Sequence, residues 1–293
     1  MITIIIPSYN RASIIPATLN SIINQEYKDW ECIVVDDFST DNSEDIIKQY
    51  TTKDKRVHYL KNGRKKGAQG ARNTGLYHSK SEWIIFFDSD NLMHPDLLHK
   101  FIAKAKDDVD VIQCFSNVID INKKKLKSTF SWRSYGNIHD KLFNHQTYVD
   151  FNQAIIRKNK LIEIGGLDED CPSMQEWDTH IRLSKIARYT TVEEPLLDYF
   201  VGGADAISTD TKREVVGRLF ILRKFLNEWR KHGIGFKQFV QQIETCIAKN
   251  VDENFKKTAS TELKQLSRGV NLYFFMSCLK RKTKQIYYYC LRK

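Results

Sequence analysis

The chain has 293 residues, 41% hydrophobic and 28% charged, with 5 prolines and 13 glycines. That composition supports a packed core, as one large α/β domain with an addition or as two small domains, and excludes a disordered, collagen-like or linker-rich chain. A formal charge of +10 points to a polyanionic partner: nucleic acid, anionic lipid or a phosphorylated substrate.

Residues 2–6, ended by Pro7, read as a short buried parallel strand. Ile14, Ile15, Leu19, Ile22 and Ile23 recur at helical spacing. Residues 31–35 predict a second buried strand. Asn42 and Ser43 are placed to cap a helix whose first turn holds Glu44 and Asp45. Residues 57–60 give a third strand, 67–78 a loop entering a helix, and 83–87 a fourth strand. Pro95 suits the first position of a helix carrying Leu97, Leu98, Phe101 and Ile102. Such alternation means βαβ units and a mostly parallel central sheet flanked by helices. Residues 109–115 add a strand. Beyond Lys123 the pattern becomes irregular, with a strand over 153–156 and a helix over 174–186. From Lys212 onward it is helical, through 213–231, 236–248 and 254–266.

Open α/β sheets bind ligands at the carboxyl ends of their strands. The second strand ends in Asp36-Asp37 and the fourth in Asp88-Ser89-Asp90. Carboxylates gathered on one edge are costly unless a cation or donor groups compensate them. A hard divalent ion, Mg²⁺ or Mn²⁺, takes oxygen from one or two carboxylates plus substrate phosphates. Asp at a strand end is also common in turns, where it bonds its own backbone. Two such groups on one predicted edge favour a site. The glycines of residues 67–73 permit close backbone approach to a ligand or an anion at a helix start. Close helix packing explains them better, and they form neither G-x-G-x-x-G nor a P-loop. Arg72 is placed to contact a diphosphate or to brace Asp37. Glu176, at the head of a predicted helix, is either a dipole partner or a general base. The six cysteines contain no C-x-x-C pair, which favours reduced thiols over disulfides or zinc.

Pro7-Ser8-Tyr9-Asn10, residues 35–43, Gly70-Ala71-Arg72-Asn73-Thr74-Gly75, Phe87-Asp88-Ser89-Asp90, Gly165-Gly166-Leu167-Asp168-Glu169 and Glu176-Trp177-Asp178 occur in this order. Together they resemble the family 2 inverting glycosyltransferases with the GT-A (nucleotide-diphospho-sugar transferase) fold, over roughly residues 1–200. The resemblance implies that Pro7, Tyr9 and Asp37 line a nucleoside pocket, with Asp37 accepting from the base imide N–H. It places Arg72 and Ser89 beside the nucleotide, Asp90 on the metal, and Asp88 on the metal motif facing ribose or sugar. Glu176 matches the catalytic base, Trp177 the acceptor side, and Asp178 a structural position. The implied reaction is a single displacement that moves a hexosyl group from a nucleotide-sugar donor, a UDP-sugar by resemblance, to a glycan or lipid-linked glycan. Bacterial lipopolysaccharide or capsule is the implied product, and Mn²⁺ or Mg²⁺ the implied cofactor. Phe38 stands where the family usually has Gly, Asn91 where many members have an acid, and Gln175-Glu176 where Glu-Asp is commoner. Residues 202–208 replace a loop that often carries His or Arg.

The expected organisation is a GT-A domain over 1–210, with a nucleotide-binding half (1–120) and an acceptor half (121–210), then a helical extension over 211–293. No acidic residue follows Glu262, and basic and aromatic residues interleave over 273–293. Residues 272–293 are therefore expected either to touch an anionic membrane surface or to pack on the core or a second subunit. No basic leader precedes the first strand, and no apolar run reaches the ~20 residues of a membrane span. The expected location is cytoplasmic, dissolved or peripheral on the inner face of the membrane. Two rival readings stand beside the enzyme: a basic nucleic-acid-binding protein, which leaves the acidic motifs unexplained, and a catalytically inactive sugar-nucleotide-binding subunit.

Overall fold

The computed structural model describes residues 1–122, 125–202 and 210–268. The first half alternates as read from the sequence: β1 (Ile2–Ser8), α1 (Ile15–Ile23), β2 (Trp30–Asp36), α2 (Ser43–Lys53), β3 (Val57–Lys61), α3 (Ala68–His78) and β4 (Trp83–Phe86). Next come β5 (Leu92–Met93), α4 (Leu97–Lys104), β6 (Val111–Asp120), β7 (Lys125–Phe130), α5 (His139–Phe143), a 3-10 turn (Phe151–Gln153) and β8 (Ala154–Arg157). The remainder is α6 (Lys158–Glu163), α7 (Gln175–Leu183), β9 (Tyr189–Val201), α8 (Thr211–Lys224), α9 (Leu226–Lys231), α10 (Gly233–Ala248) and α11 (Glu253–Ser267).

Among the described residues the strands form one nine-stranded sheet in the order β3-β2-β1-β4-β8-β6-β9-β5, with β7 on β6. β3, β2, β1 and β4 run parallel. β8 then runs antiparallel to both β4 and β6, while β6 and β9 are parallel. Ile2, Ile4, Ile5 and Ile6 of β1 are fully buried, because helices cover both faces of a parallel sheet. Each such side chain contributes about 2 kcal/mol of burial. α3 packs closely on β1: a Cβ on Gly75 would lie 2.5 Å from Ile5 Cγ2.

Some local expectations change. Asn42 precedes α2, but its side chain makes no cap bond. Asp41 instead accepts from the Ser43 N–H at 3.0 Å. α4 starts at Leu97 after Asp96, so Pro95 lies just outside it. β7 and most of β9 fall in the stretch that looked irregular, because residues 126–130 are all exposed and the burial of β9 does not alternate cleanly. The helix read over 213–231 breaks at Phe225 into α8 and α9.

Contacts divide the chain into two units: residues 1–142, 147–171 and 175–207, and residues 143–146, 172–174 and 208–293. The second is helical in its described part, and its core holds Trp229 stacked on Phe239 with ring centroids 4.4 Å apart. No described helix is long and apolar enough to cross a membrane. Residues 272–293, and 203–208 of the expected flexible loop, lie outside the described residues.

Candidate active site at the carboxyl edge of the sheet

The parallel register fixes where the acidic motifs emerge. Asp36 pairs with Ser8, and the Asp37 N–H donates to the Ser8 carbonyl at 2.8 Å. On the other side of β1, the Phe87 N–H donates to the Ile5 carbonyl at 2.9 Å. Asp37 and Asp88 therefore leave the same edge with β1 between their strands, a separation of about two strand spacings, or ~10 Å. The Thr18 hydroxyl of α1 reaches the Ser89 carbonyl at 2.9 Å and the Asn91 carbonyl at 3.0 Å, which ties the Asp88–Asp90 turn to the first helix. Ser89 itself is buried.

Asp37 is 7% exposed, and each of its carboxylate oxygens holds one donor. Asn62 Nδ2 lies at 2.7 Å and the Gly67 N–H at 2.8 Å. Arg72 does not brace Asp37; the loop at residues 62–67 does so. Pro7, half-buried, pairs with Val35 in the β1–β2 register, and Tyr9 is exposed with the Lys66 ammonium 5.1 Å from its ring centre. Phe38 adopts φ +65°, the left-handed region that costs a non-glycine residue about 1 kcal/mol. The turn thus keeps a glycine-like conformation while presenting an exposed phenyl ring.

The 62–67 loop and α3 are both fastened to residues 165–170. Asn73 Nδ2 donates to the Leu167 carbonyl and to Glu169 Oε1, both at 2.8 Å, and Asn73 Oδ1 accepts from the Leu167 N–H at 2.9 Å. Arg64 pairs with Glu169, and Lys65 pairs with Asp170 at 2.5 Å. Gly70 serves this packing, since a Cβ there would lie 1.8 Å from the Lys65 carbonyl oxygen.

Arg72, 4% exposed, reaches from α3 to the second acidic group. Its Nη2 donates to Asp88 Oδ1 at 2.8 Å, and its Nη1 donates to Gln69 at 2.9 Å and Gln175 at 3.0 Å. The guanidinium lies over the Phe151 ring at 5.0 Å. Asp88 Oδ2 accepts from Asn152 Nδ2 at 2.9 Å. Around this pair stand Asp90, Asp150 and Glu176, with Tyr148 and Tyr199. Burial first, and then the nearby Asp150 charge, push the Glu176 carboxyl up to about 7, against the opposing pull of Arg72. Asp150 is raised by burial and then by Asp88. Asp90 is raised by burial and then by Asp88, with Arg11 opposing. Its side chain is open to solvent by surface area, so the burial arises from the protein walls around an open cleft. Tyr148 and Tyr199 are raised by burial and by these same carboxylates, which places their phenols at the cluster. The Trp177 ring lies 6.5 Å from the Tyr148 ring. Asp178 turns the other way, fully buried and paired with Arg182 at 2.7 Å. His180, also on α7, is enclosed, and burial pushes it down to about 3, so it stays neutral.

The sequence reading did not find Asp150, Asn152, Tyr148 or Tyr199. The signal for Asp150 and Asn152 was an Asx turn, in which Asp150 accepts from the Asn152 N–H at 2.9 Å just before a strand. Among the described residues no three His, Cys, Asp or Glu side chains gather into a metal cage. The donor set instead fits a cation shared with substrate phosphates, which needs only one or two protein carboxylates. Asp90 is suited to it: a carboxylate open to solvent at the cleft wall, bonded to its own backbone N–H and so left with oxygen lone pairs for a cation. A surface depression of about 610 Å³ lined by Ser81, Glu82 and Arg157 lies at the amino end of β4, away from these groups.

Comparison with known proteins agrees with this architecture. The family model described as Glycosyl transferase family 2 matches residues 3–165. TuaG of Bacillus subtilis, described as a putative teichuronic acid biosynthesis glycosyltransferase, is 38% identical over 34% of this chain and 40% of its own length. WfgD of Escherichia coli, a UDP-Glc:alpha-D-GlcNAc-diphosphoundecaprenol beta-1,3-glucosyltransferase, is 40% identical over 31% of this chain and 36% of its own. These matches thus cover well under half of either relative. The crystal structure of S. aureus TarS 1-349 with UDP-GlcNAc superposes with a TM-score of 0.65, at 16% identity over 94% of this chain and 92% of that one. This likeness is one of fold, and the fold is GT-A, with helices following the mixed sheet. The chain belongs to glycosyl transferase family 2.

Proposed function

We propose that the protein is an inverting, metal-assisted glycosyltransferase that moves a hexosyl group from a UDP-sugar to a hydroxyl of a glycan or lipid-linked glycan. The polymer would be a bacterial surface polysaccharide such as lipopolysaccharide or capsule. The observation that carries this is Glu176, a carboxyl pushed up to about 7 among Asp88, Asp150 and Arg72 on the edge where Asp37 also emerges. A base near neutrality is partly ionised yet basic enough to accept a proton.

In this reading Asp37, with a lone pair left on each oxygen, accepts the imide N–H of the base, and Pro7 and Tyr9 flank the nucleoside. Arg72 and Ser89 lie beside the nucleotide, and Asp88 faces the ribose or sugar. Asp90, with Asp88, would hold Mn²⁺ or Mg²⁺, which when bound offsets charge on the departing diphosphate. Trp177 shapes the acceptor side. Glu176 removes the acceptor hydroxyl proton as that oxygen bonds to the anomeric carbon from the face opposite the diphosphate. The carbon–diphosphate bond breaks in the same step, so configuration inverts and no enzyme-bound sugar forms. The names of TuaG and WfgD support the polysaccharide and lipid-linked acceptor parts of the proposal. The basic, aromatic segment 272–293 would hold the enzyme on the inner face of the cell membrane. Its deletion is then expected to reduce sedimentation with anionic vesicles, and unchanged sedimentation would remove the anchor.

The direct test is a panel of nucleotide sugars with Mn²⁺, scored by thermal shift and by slow donor hydrolysis. UDP-sugars should stabilise the protein and be hydrolysed, and Glu176→Gln should keep binding while losing transfer. Binding with no turnover by any donor would instead identify an inactive binding subunit.

A further inference from the structure

Asn152 is 2% exposed, and its side chain makes four hydrogen bonds that join separate parts of the acidic edge. Its Nδ2 donates to Asp88 Oδ2 and to Asp150 Oδ1, both at 2.9 Å. Its Oδ1 accepts from the Asp88 N–H at 2.7 Å and from Asn91 Nδ2 at 3.1 Å. The partners fix the amide orientation, because a carboxylate can only accept from it and a backbone N–H can only donate to it. Asn91 Oδ1 then accepts from the Phe200 N–H at 3.0 Å, which carries the chain of bonds to the end of β9.

Arg72 holds one oxygen of Asp88 and Asn152 holds the other, so the two fix the rotation of that carboxylate. Arg72 also has Gln69 and Gln175 as partners and would stay in place without Asp88. Asn152 alone grips both the backbone and the side chain of Asp88. It also sets a neutral donor between two carboxylates that would otherwise repel each other.

We infer that Asn152 is a positioning residue for the family 2 transfer site: it orients Asp88 and separates it from Asp150 by donating to both. This rests on reading the acidic edge as a nucleotide site. The role needs an N–H donor of the right length, not merely a side chain of the right volume. Asp has the same shape as Asn, yet it would present oxygen to both carboxylates.

The test is calorimetric binding of two probes, UDP with Mn²⁺ and 2′,3′-dideoxyuridine without metal, well below the melting temperature of each variant. The dideoxynucleoside lacks the ribose hydroxyls that Asp88 would face and reports the Asp37 side, whereas UDP with Mn²⁺ reports the Asp88–Asp90 side. Asn152→Ala should weaken UDP–Mn²⁺ binding about tenfold, the worth of one hydrogen bond to a charged group, and leave dideoxyuridine binding unchanged. Asn152→Asp should weaken it further despite its matching shape. Asn91→Ser, which removes only the outer link, should weaken it less than either and serves if Asn152→Asp does not fold. The inference is overturned if Asn152→Asp binds UDP–Mn²⁺ as the wild type does, or if Asn152→Ala weakens both probes equally. A wild-type protein that binds neither probe would overturn the nucleotide-site reading, and this inference with it.

Discussion

Replacing Glu176 by Gln should remove activity and add stability, and both effects follow from one burial. An isolated Glu titrates near 4.5, whereas the Glu176 carboxyl is pushed up to about 7 by burial and then by Asp150. Below about 4.5 the folded and unfolded chains both hold this proton, and the group is neutral to stability. As pH rises toward 7 the unfolded chain releases the proton first, so the native state loses stability across that window and gains no further loss above it. The difference of about 2.5 units, at about 1.36 kcal/mol each, sets an upper bound of ~3 kcal/mol. Water entering the open cleft screens part of this, leaving about 2 kcal/mol. Glutamine has the same shape and stays neutral. Glu176→Gln should therefore melt with the wild type near pH 4.5 and about 4 °C above it at pH 8.5, measured by calorimetry without nucleotide. Over the same range, transfer by the variant should fall about 10²–10⁴-fold, the usual worth of a general base. Equal melting at pH 8.5 would show that Glu176 is not desolvated. Undiminished turnover would show that another group takes the proton.

Chelation by EDTA should abolish donor turnover and Mn²⁺ or Mg²⁺ restore it, while Asp90→Asn should lose about 100-fold that added metal does not recover. Full activity in EDTA would exclude the metal. Arg72→Gln leaves Asp88 without its cation in a half-buried site, so urea unfolding should show a loss of about 2 kcal/mol. Gly75→Ala gains about 1 kcal/mol of helix propensity but forces a methyl 2.5 Å from a fully buried Ile5. Overlap against the stiff, β-branched Ile5 side chain outweighs propensity, and a net loss of about 1 kcal/mol is expected on chemical denaturation.

The strands of residues 1–120 were legible because their signals are local. Unbroken apolar runs ending in Asp36-Asp37 and Asp88-Ser89-Asp90 identify parallel strands, and parallel strands put their ends on one edge. Residues 121–210 were not, because their strands arrive in mixed directions. β8 runs antiparallel to β4, so the residues that precede it, Asp150 and Asn152, reach the edge that Asp88 reaches by following its strand. Tyr199 arrives there because β9 runs parallel to β6, whose direction opposes β8. A sequence gives the order of strands but not the direction of pairing, so Asp150 and Tyr199 could not be assigned to the edge. Arg72 pairs with Asp88 and not with Asp37, since Asn62 and Gly67 already occupy Asp37.

The clasp that ties the 62–67 loop and Asn73 of α3 to residues 165–170 joins two kinds of bond with different responses to ionic strength. The Asn73 amide bonds to Leu167 are buried and uncharged, whereas the Lys65–Asp170 pair is exposed on both sides. At 1 M salt the screening length falls to about 3 Å, which weakens the exposed pair and leaves the amide bonds intact. Brine should therefore loosen the outer lip while its hinge holds, so that residues 62–67 open more readily without loss of fold.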